Sequence, residues 1–145
     1  DASDVHDYGV GYPVSDYLFG PDQPMVHWTI TNPPFRLAQQ FIERAIRTSR
    51  EGVAVIVRSA FIEGGSRYES LFKPLPPSIV FQHAERVPMV KGRYDPKAST
   101  ATSYCWLVWL KGDSQADTRL RWIAPCRKRF ERTADVLTEA MEAAA

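Results

Sequence analysis

Apolar and polar positions follow several distinct rhythms along the chain. Residues 25–31 are a short β-prone run carrying Val26, Trp28 and Ile30. Asn32-Pro33-Pro34 ends it, because proline cannot donate to a sheet ladder. Between 36 and 50, apolar residues recur at Leu37, Ala38, Phe41, Ile42, Ala45 and Ile46, with Arg44, Arg47 and Arg50 on the other side. That three-and-four spacing predicts one amphipathic helix, which Gly52 is expected to break. Residues 53–58 are a β-branched run of the kind buried on both faces in a parallel sheet. A short helix is predicted over 67–72, stopped by Pro74, Pro76 and Pro77. Strands follow over 78–82 and, rich in aromatics, over 100–111. Helical connections between buried strands imply parallel pairing, whereas two late strands with no helix between them imply an antiparallel edge hairpin. The expected fold class is therefore α/β, an open and mostly parallel sheet with an antiparallel edge hairpin. Trp28, Trp106 and Trp109 are expected to anchor its core.

Composition narrows the functional classes. With 145 residues, 44% hydrophobic and 24% charged, the chain is suited to one globular domain with a real core, not to a disordered or fibrous state. Its longest apolar runs, 53–57 and 106–110, are far shorter than the roughly 20 residues of a membrane helix. No membrane partner and a cytoplasmic location are expected. Cys105 and Cys126 are too far apart for a C-x-x-C pair and have no histidine at ligand spacing, so they read as ordinary thiols and no metal is expected. His6, His27 and His83 have the spacing of neither a triad nor a metal site.

Charge is segregated behind a formal net value of +1. Residues 1–30 hold five acids and no Lys or Arg, whereas 86–132 hold eleven bases against four acids. Such a basic block attracts polyanions if it faces one way, and is a solvated face if it does not. Within it, Lys91, Arg93 and Lys97 surround Tyr94 in the loop between the two late strands, and Arg127, Lys128, Arg129 and Arg132 cluster on a predicted helix. Backbone phosphate contact is the expected role of the loop side chains, and the helix cluster reads as either phosphate-binding or simply solvated. Trp122, within Arg119-Leu120-Arg121-Trp122, is the tryptophan placed to touch a base. Ser66, Arg67 and Tyr68, after Gly64-Gly65, form either a lip of a cleft or a cap.

The sharpest chemical signal is Asn32-Pro33-Pro34-Phe35, set between a strand and an amphipathic helix. Ligands of open α/β sheets bind beyond the carboxyl ends of the strands, where this tetrapeptide falls. Asn32 precedes a proline and is held extended, so its amide oxygen can accept an N–H. The Pro33 carbonyl offers a second acceptor and Phe35 a flat face. Together they describe a clamp for an exocyclic amine on a planar ring, biasing a delocalised nitrogen lone pair toward in-line attack on an electrophilic carbon.

Asn-Pro-Pro-Phe resembles the catalytic tetrapeptide of S-adenosylmethionine-dependent amino-methyltransferases, chiefly the DNA adenine-N6 enzymes of phage and prophage type. The resemblance implies a Rossmann-like sheet, S-adenosylmethionine as cofactor, DNA with a flipped adenine as partner, and Asn32, Pro33, Pro34 and Phe35 as catalytic residues. Upstream, Ser3-Asp4-Val5-His6-Asp7 is similar to the end of the family's second strand, which implies Asp4 on the cofactor ribose. Ser15-Asp16-Tyr17-Leu18 is similar to its next motif, which implies Asp16 and Tyr17 at the cofactor adenine. Downstream, 52–58 resembles the fifth strand, and the segments 86–89 and 102–109 the strand hairpin of the phage enzymes. Residues 1–112 are then a partial catalytic domain, and 113–145 a basic segment and helix packed on or extending it.

One element of the family pattern is missing. Members of this motif order carry a strand and glycine-rich loop before the second strand, cradling the methionine part of the cofactor. Gly9 and Gly11 form only a lone G-x-G after the ribose acid and read as a turn. The sheet is accordingly expected to be N-terminally incomplete, as a fragment, which Asp1 as first residue favours, or as a natural remnant. Two alternatives stand beside DNA methylation. One is methyl transfer to RNA or to a protein glutamine amide; the other is a non-catalytic nucleic-acid-binding remnant or regulatory subunit of a methyltransferase.

Overall fold

The computed structural model describes residues 2–7, 9, 11–21, 24–90, 95, 97–113 and 117–132. Its frame is a five-stranded sheet in the order β1-β2-β4-β3-β5. The strands are β1 (Val26–Thr31), β2 (Ser49–Arg58), β3 (Ile79–His83), β4 (Tyr104–Leu110) and β5 (Arg119–Ile123). β1 and β2 pair in parallel, as do β3 and β5, whereas β4 runs antiparallel to both β2 and β3. Four strands thus point one way and β4 alone runs against them. The class is α/β with a mixed, mostly parallel open sheet.

β1 stops at the prolines as expected, and a turn closed by Leu37 N–H donating to the Pro34 carbonyl at 2.8 Å leads into α1 (Ala38–Thr48). This helix buries Ala38, Ile42 and Ala45, the apolar face read from the spacing. They meet Val53, Val55 and Val57 of β2, then Cys105, Leu107 and Trp109 of β4 and Val80 of β3. Those strand residues alternate, so one face of the sheet carries the main core. Beyond the helix the same core continues under a connection made of a 3-10 turn (Ser59–Ile62), α2 (Gly65–Arg67) and a π turn (Tyr68–Phe72), which adds Phe61 and Leu71.

Four expectations are corrected. The helix ends at Thr48 and the chain becomes extended at Ser49, three residues before Gly52. Gly52 instead makes room for a neighbour, since a Cβ there would overlap the Trp28 indole, which lies across it from the adjacent strand. Trp28 itself is 39% exposed and not part of the core, because β1 is an edge strand with a neighbour on one side only. The strand predicted over 100–111 begins only at Tyr104. Finally, β3 and β4 do form an antiparallel hairpin, but β4 sits inside the sheet and β5 covers β3, so the hairpin is not at the edge. β5 went unpredicted because Arg119 and Arg121 break its apolar character.

Candidate functional site at the carboxyl end of the sheet

Strand direction brings the ends of β1, β2, β3 and β5 and the start of β4 to one side. Asn32 and Pro34 are exposed there and Pro33 is buried. The Pro34 carbonyl is used by the turn, whereas the Pro33 carbonyl accepts no hydrogen bond among the described residues. Phe35 is half-buried, tilted against buried Tyr104 with ring centroids 5.8 Å apart. The exposed Arg58 guanidinium lies over the Phe35 ring at 4.9 Å. Arg58 and Tyr104 are cross-strand partners, so the last position of β2 and the first of β4 jointly seat the aromatic of the tetrapeptide. Neither was singled out from sequence; the available signal was only that both fall at strand ends facing the same side.

Next to this seat the polar groups are tied to the frame. Ser59 Oγ donates to Gln82 Oε1 at 2.9 Å, and Gln82 Nε2 donates to the carbonyls of His83 and Tyr104 at 3.0 and 3.1 Å. Burial pushes the Cys105 thiol up to about 11, against a smaller downward pull from Ser59. His83 Nδ1 is buried with no hydrogen-bond partner among the described residues. Burial lowers the His83 pKa, with Glu85 opposing. Glu85 Oε1 accepts the N–H groups of Cys126 and Arg127 at 2.5 and 2.6 Å, and those bonds lower its pKa.

The acidic N-terminal stretch lies against α1. Asp4 and Val14 form a parallel bridge, with Ser15 N–H donating to the Asp4 carbonyl at 2.8 Å, so Asp4 and Asp16 are held two positions apart across it. Asp16 Oδ1 accepts the N–H groups of Leu18 and Phe19 at 2.8 and 2.9 Å, and Asp4 Oδ1 that of His6 at 2.8 Å. Tyr17 stacks on Phe41 with centroids 5.0 Å apart, lies 5.5 Å from the Arg44 guanidinium, and shares a 3.5 Å hydrogen bond with Thr48. Arg44 also donates to the carbonyls of Leu18 and Pro21 at 3.0 and 3.2 Å. These contacts dock the Asp16 turn on the helix that follows Phe35.

The basic residues separate into two kinds. Lys91 and Arg93 lie outside the described residues. Lys97, Lys128 and Arg129 are exposed. Arg127, expected to contact phosphate or solvent, instead donates to the carbonyls of Asp95 and Ala98 at 2.9 and 3.2 Å. It thereby pins the β3–β4 connection at Asp95 and Ala98 to α3 (Arg127–Phe130). Arg67 resolves the Gly64-Gly65 loop as a cap: it donates to the Phe61 and Glu63 carbonyls and lies over the Phe61 ring at 4.1 Å. A cleft of about 280 Å³ lined by Ile46, Leu75, Trp109 and Asp113 is at the opposite end of the sheet, away from Asn32.

Comparison with models of known families, with curated proteins and with solved structures returns no match.

Proposed function

We propose that this chain serves methyl transfer from S-adenosylmethionine to the N6 amino group of adenine in DNA. The observation that carries this reading is the exposed Asn32 beside an unbonded Pro33 carbonyl, with Phe35 half-buried beyond them. Two acceptors next to a flat ring suit an aromatic amine. The succession of β1, α1 and β2 suits the order implied by the resemblance, whereas segment 86–89, read with 102–109 as the family's hairpin, forms no strand, and the antiparallel partner of β4 is β3.

In this mechanism Asn32 Oδ1 and the Pro33 carbonyl accept the two amino hydrogens, and Phe35 packs against the base. The acceptors favour the positive charge that grows on nitrogen as its lone pair forms the new N–C bond; the carbon–sulfur bond would break with its electron pair going to S-adenosylhomocysteine, and the nitrogen then gives one proton to solvent. Arg58 leaves the Phe35 face when the ring enters, at a cost of about 0.5–1 kcal/mol for an exposed cation–π contact. The acceptors suit the adenosine half of the cofactor: Asp4 pairs with Val14, two residues before Asp16, and the two carboxylates can accept from ribose hydroxyls and an amino group. Tyr17, stacked on Phe41, supports the Asp16 turn beside them. Among the described residues no glycine-rich cradle meets the methionine half. When bound, S-adenosylmethionine supplies the electrophilic methyl carbon.

Asn32→Ala tests the reading. Labelled-methyl incorporation into adenine-containing duplex DNA is expected to fall by two orders of magnitude or more, with an unchanged circular-dichroism spectrum, since Asn32 is exposed and outside the core. Activity of the variant near that of the parent, or labelling of RNA or protein instead of DNA, defeats the assignment to DNA adenine.

A further inference from the structure

β5 closes the sheet on the side away from β1, and its surface is unlike an ordinary solvated edge. By strand alternation Leu120 and Trp122 project to one side and Arg119 and Arg121 to the other. Leu120 is 60% exposed and Trp122 68%. After the turn at 124–126, α3 presents Lys128, Arg129 and Phe130, the last 63% exposed with the Arg129 guanidinium 4.6 Å above its ring. Single exposed apolar side chains are common on proteins, but here three fall within eleven residues, interleaved with cations. Two nearby acids are already engaged, Asp113 by Arg119 at 2.8 Å and Glu85 by the N–H groups entering α3. Glu131 is the exposed acid of the segment.

Aromatic faces among cations complement a polyanion that also carries planar rings. We propose that β5 and α3 form a stacking platform for unpaired bases of a nucleic-acid strand, with Trp122 and Phe130 under the bases and Lys128 and Arg129 on the phosphates. This rests on the nucleic-acid part of the reading above and adds a second site to it. From β1 to β5 there are four strand steps, about 19 Å at ~4.8 Å each, so Trp122 serves a different nucleotide from the one held by Asn32. The platform therefore affects affinity and leaves the chemistry at Asn32 untouched.

Anisotropy titrations of the whole chain test it, using fluorescein-labelled oligothymidylate, a hairpin duplex and, as competitor, polyphosphate. Tighter binding of the single strand is expected, weakened about tenfold by Trp122→Ala and by Phe130→Ala, and retained in Trp122→Phe. The aromatic substitutions are expected to leave competition by polyphosphate unchanged. Wild-type single-strand affinity in both alanine variants overturns the platform while leaving the DNA reading intact. Equal losses toward duplex and polyphosphate overturn it too, and show a purely ionic surface. Absence of binding to every nucleic acid overturns both.

Discussion

The Asp16 carboxylate is already used by the fold. Its Oδ1 caps the turn over Leu18 and Phe19, so Asp16→Ala would confound loss of a ligand with loss of a loop. Asp16→Asn keeps an oxygen for the turn and removes the charge. Under the proposed function, calorimetric titration with S-adenosylhomocysteine is expected to show at least tenfold weaker binding in Asp16→Asn with unchanged melting behaviour. Equal affinity would remove Asp16 from the cofactor site. The two cysteines separate as sharply. Cys105 is fully buried in β4 with its thiol pushed up to about 11, whereas Cys126 is half-buried where α3 begins. Thiolate is the reactive form, so Ellman's reagent at pH 8 is expected to titrate one thiol quickly and the second only on unfolding. Two fast thiols would contradict the burial of β4. At this scale the place of the tetrapeptide between a strand and a helix was legible because its prolines mark it locally. Arg58 and Tyr104 were not, since only strand pairing brings residues 46 positions apart to one aromatic ring.

Among the elements, α1 and β2 were readable because their apolar periods are strong. Their junction was not, because the switch to extended backbone at Ser49 leaves no glycine or proline mark. Gly52, taken alone, reads as a helix breaker; only the neighbouring strand reveals that it makes room for an indole. Gly52→Ala is accordingly expected to displace Trp28 and break the Trp28 Nε1 hydrogen bond to Glu51, now 3.1 Å, costing about 1–2 kcal/mol by overpacking. Urea unfolding measures the cost. A variant as stable as the parent, with an unshifted tryptophan emission maximum, would show that the indole does not rest on Gly52. β5 escaped prediction for a related reason: a strand that exposes Leu120 and Trp122 and carries arginines on its other side lacks the clean inside-outside alternation that marks a half-buried strand.

For the whole molecule, segregated charge becomes geometry. The basic helix is fastened to Asp95 and Ala98 of the connection before β4, because the Arg127 guanidinium donates to their backbone carbonyls. Arg127 thus serves the fold where Lys128 and Arg129 stay exposed. That division of roles was invisible in sequence, where Arg127 looks like Lys128 and Arg129.

The antiparallel interior strand also bears on how the chain reaches this state. β1, α1 and β2 are consecutive and can dock early, but β2 meets β4 only after residues 59–103 have been traversed, and β3 and β5 join the sheet through β4. Loop closure of that length is slow relative to local pairing. β4 is therefore the keystone of assembly, and Leu107, fully buried at its centre, reports on when it is set. Leu107→Ala is expected to cost about 2–5 kcal/mol, with most of the loss in the refolding arm of a stopped-flow chevron. A loss confined to unfolding would mean that β4 locks after the barrier. In the expected case, the half of the sheet that carries Trp122 and the basic helix takes shape only once β4 has closed against β2, so a chain that stalls before that step retains the Asn32 segment but has no organised surface to present beside it.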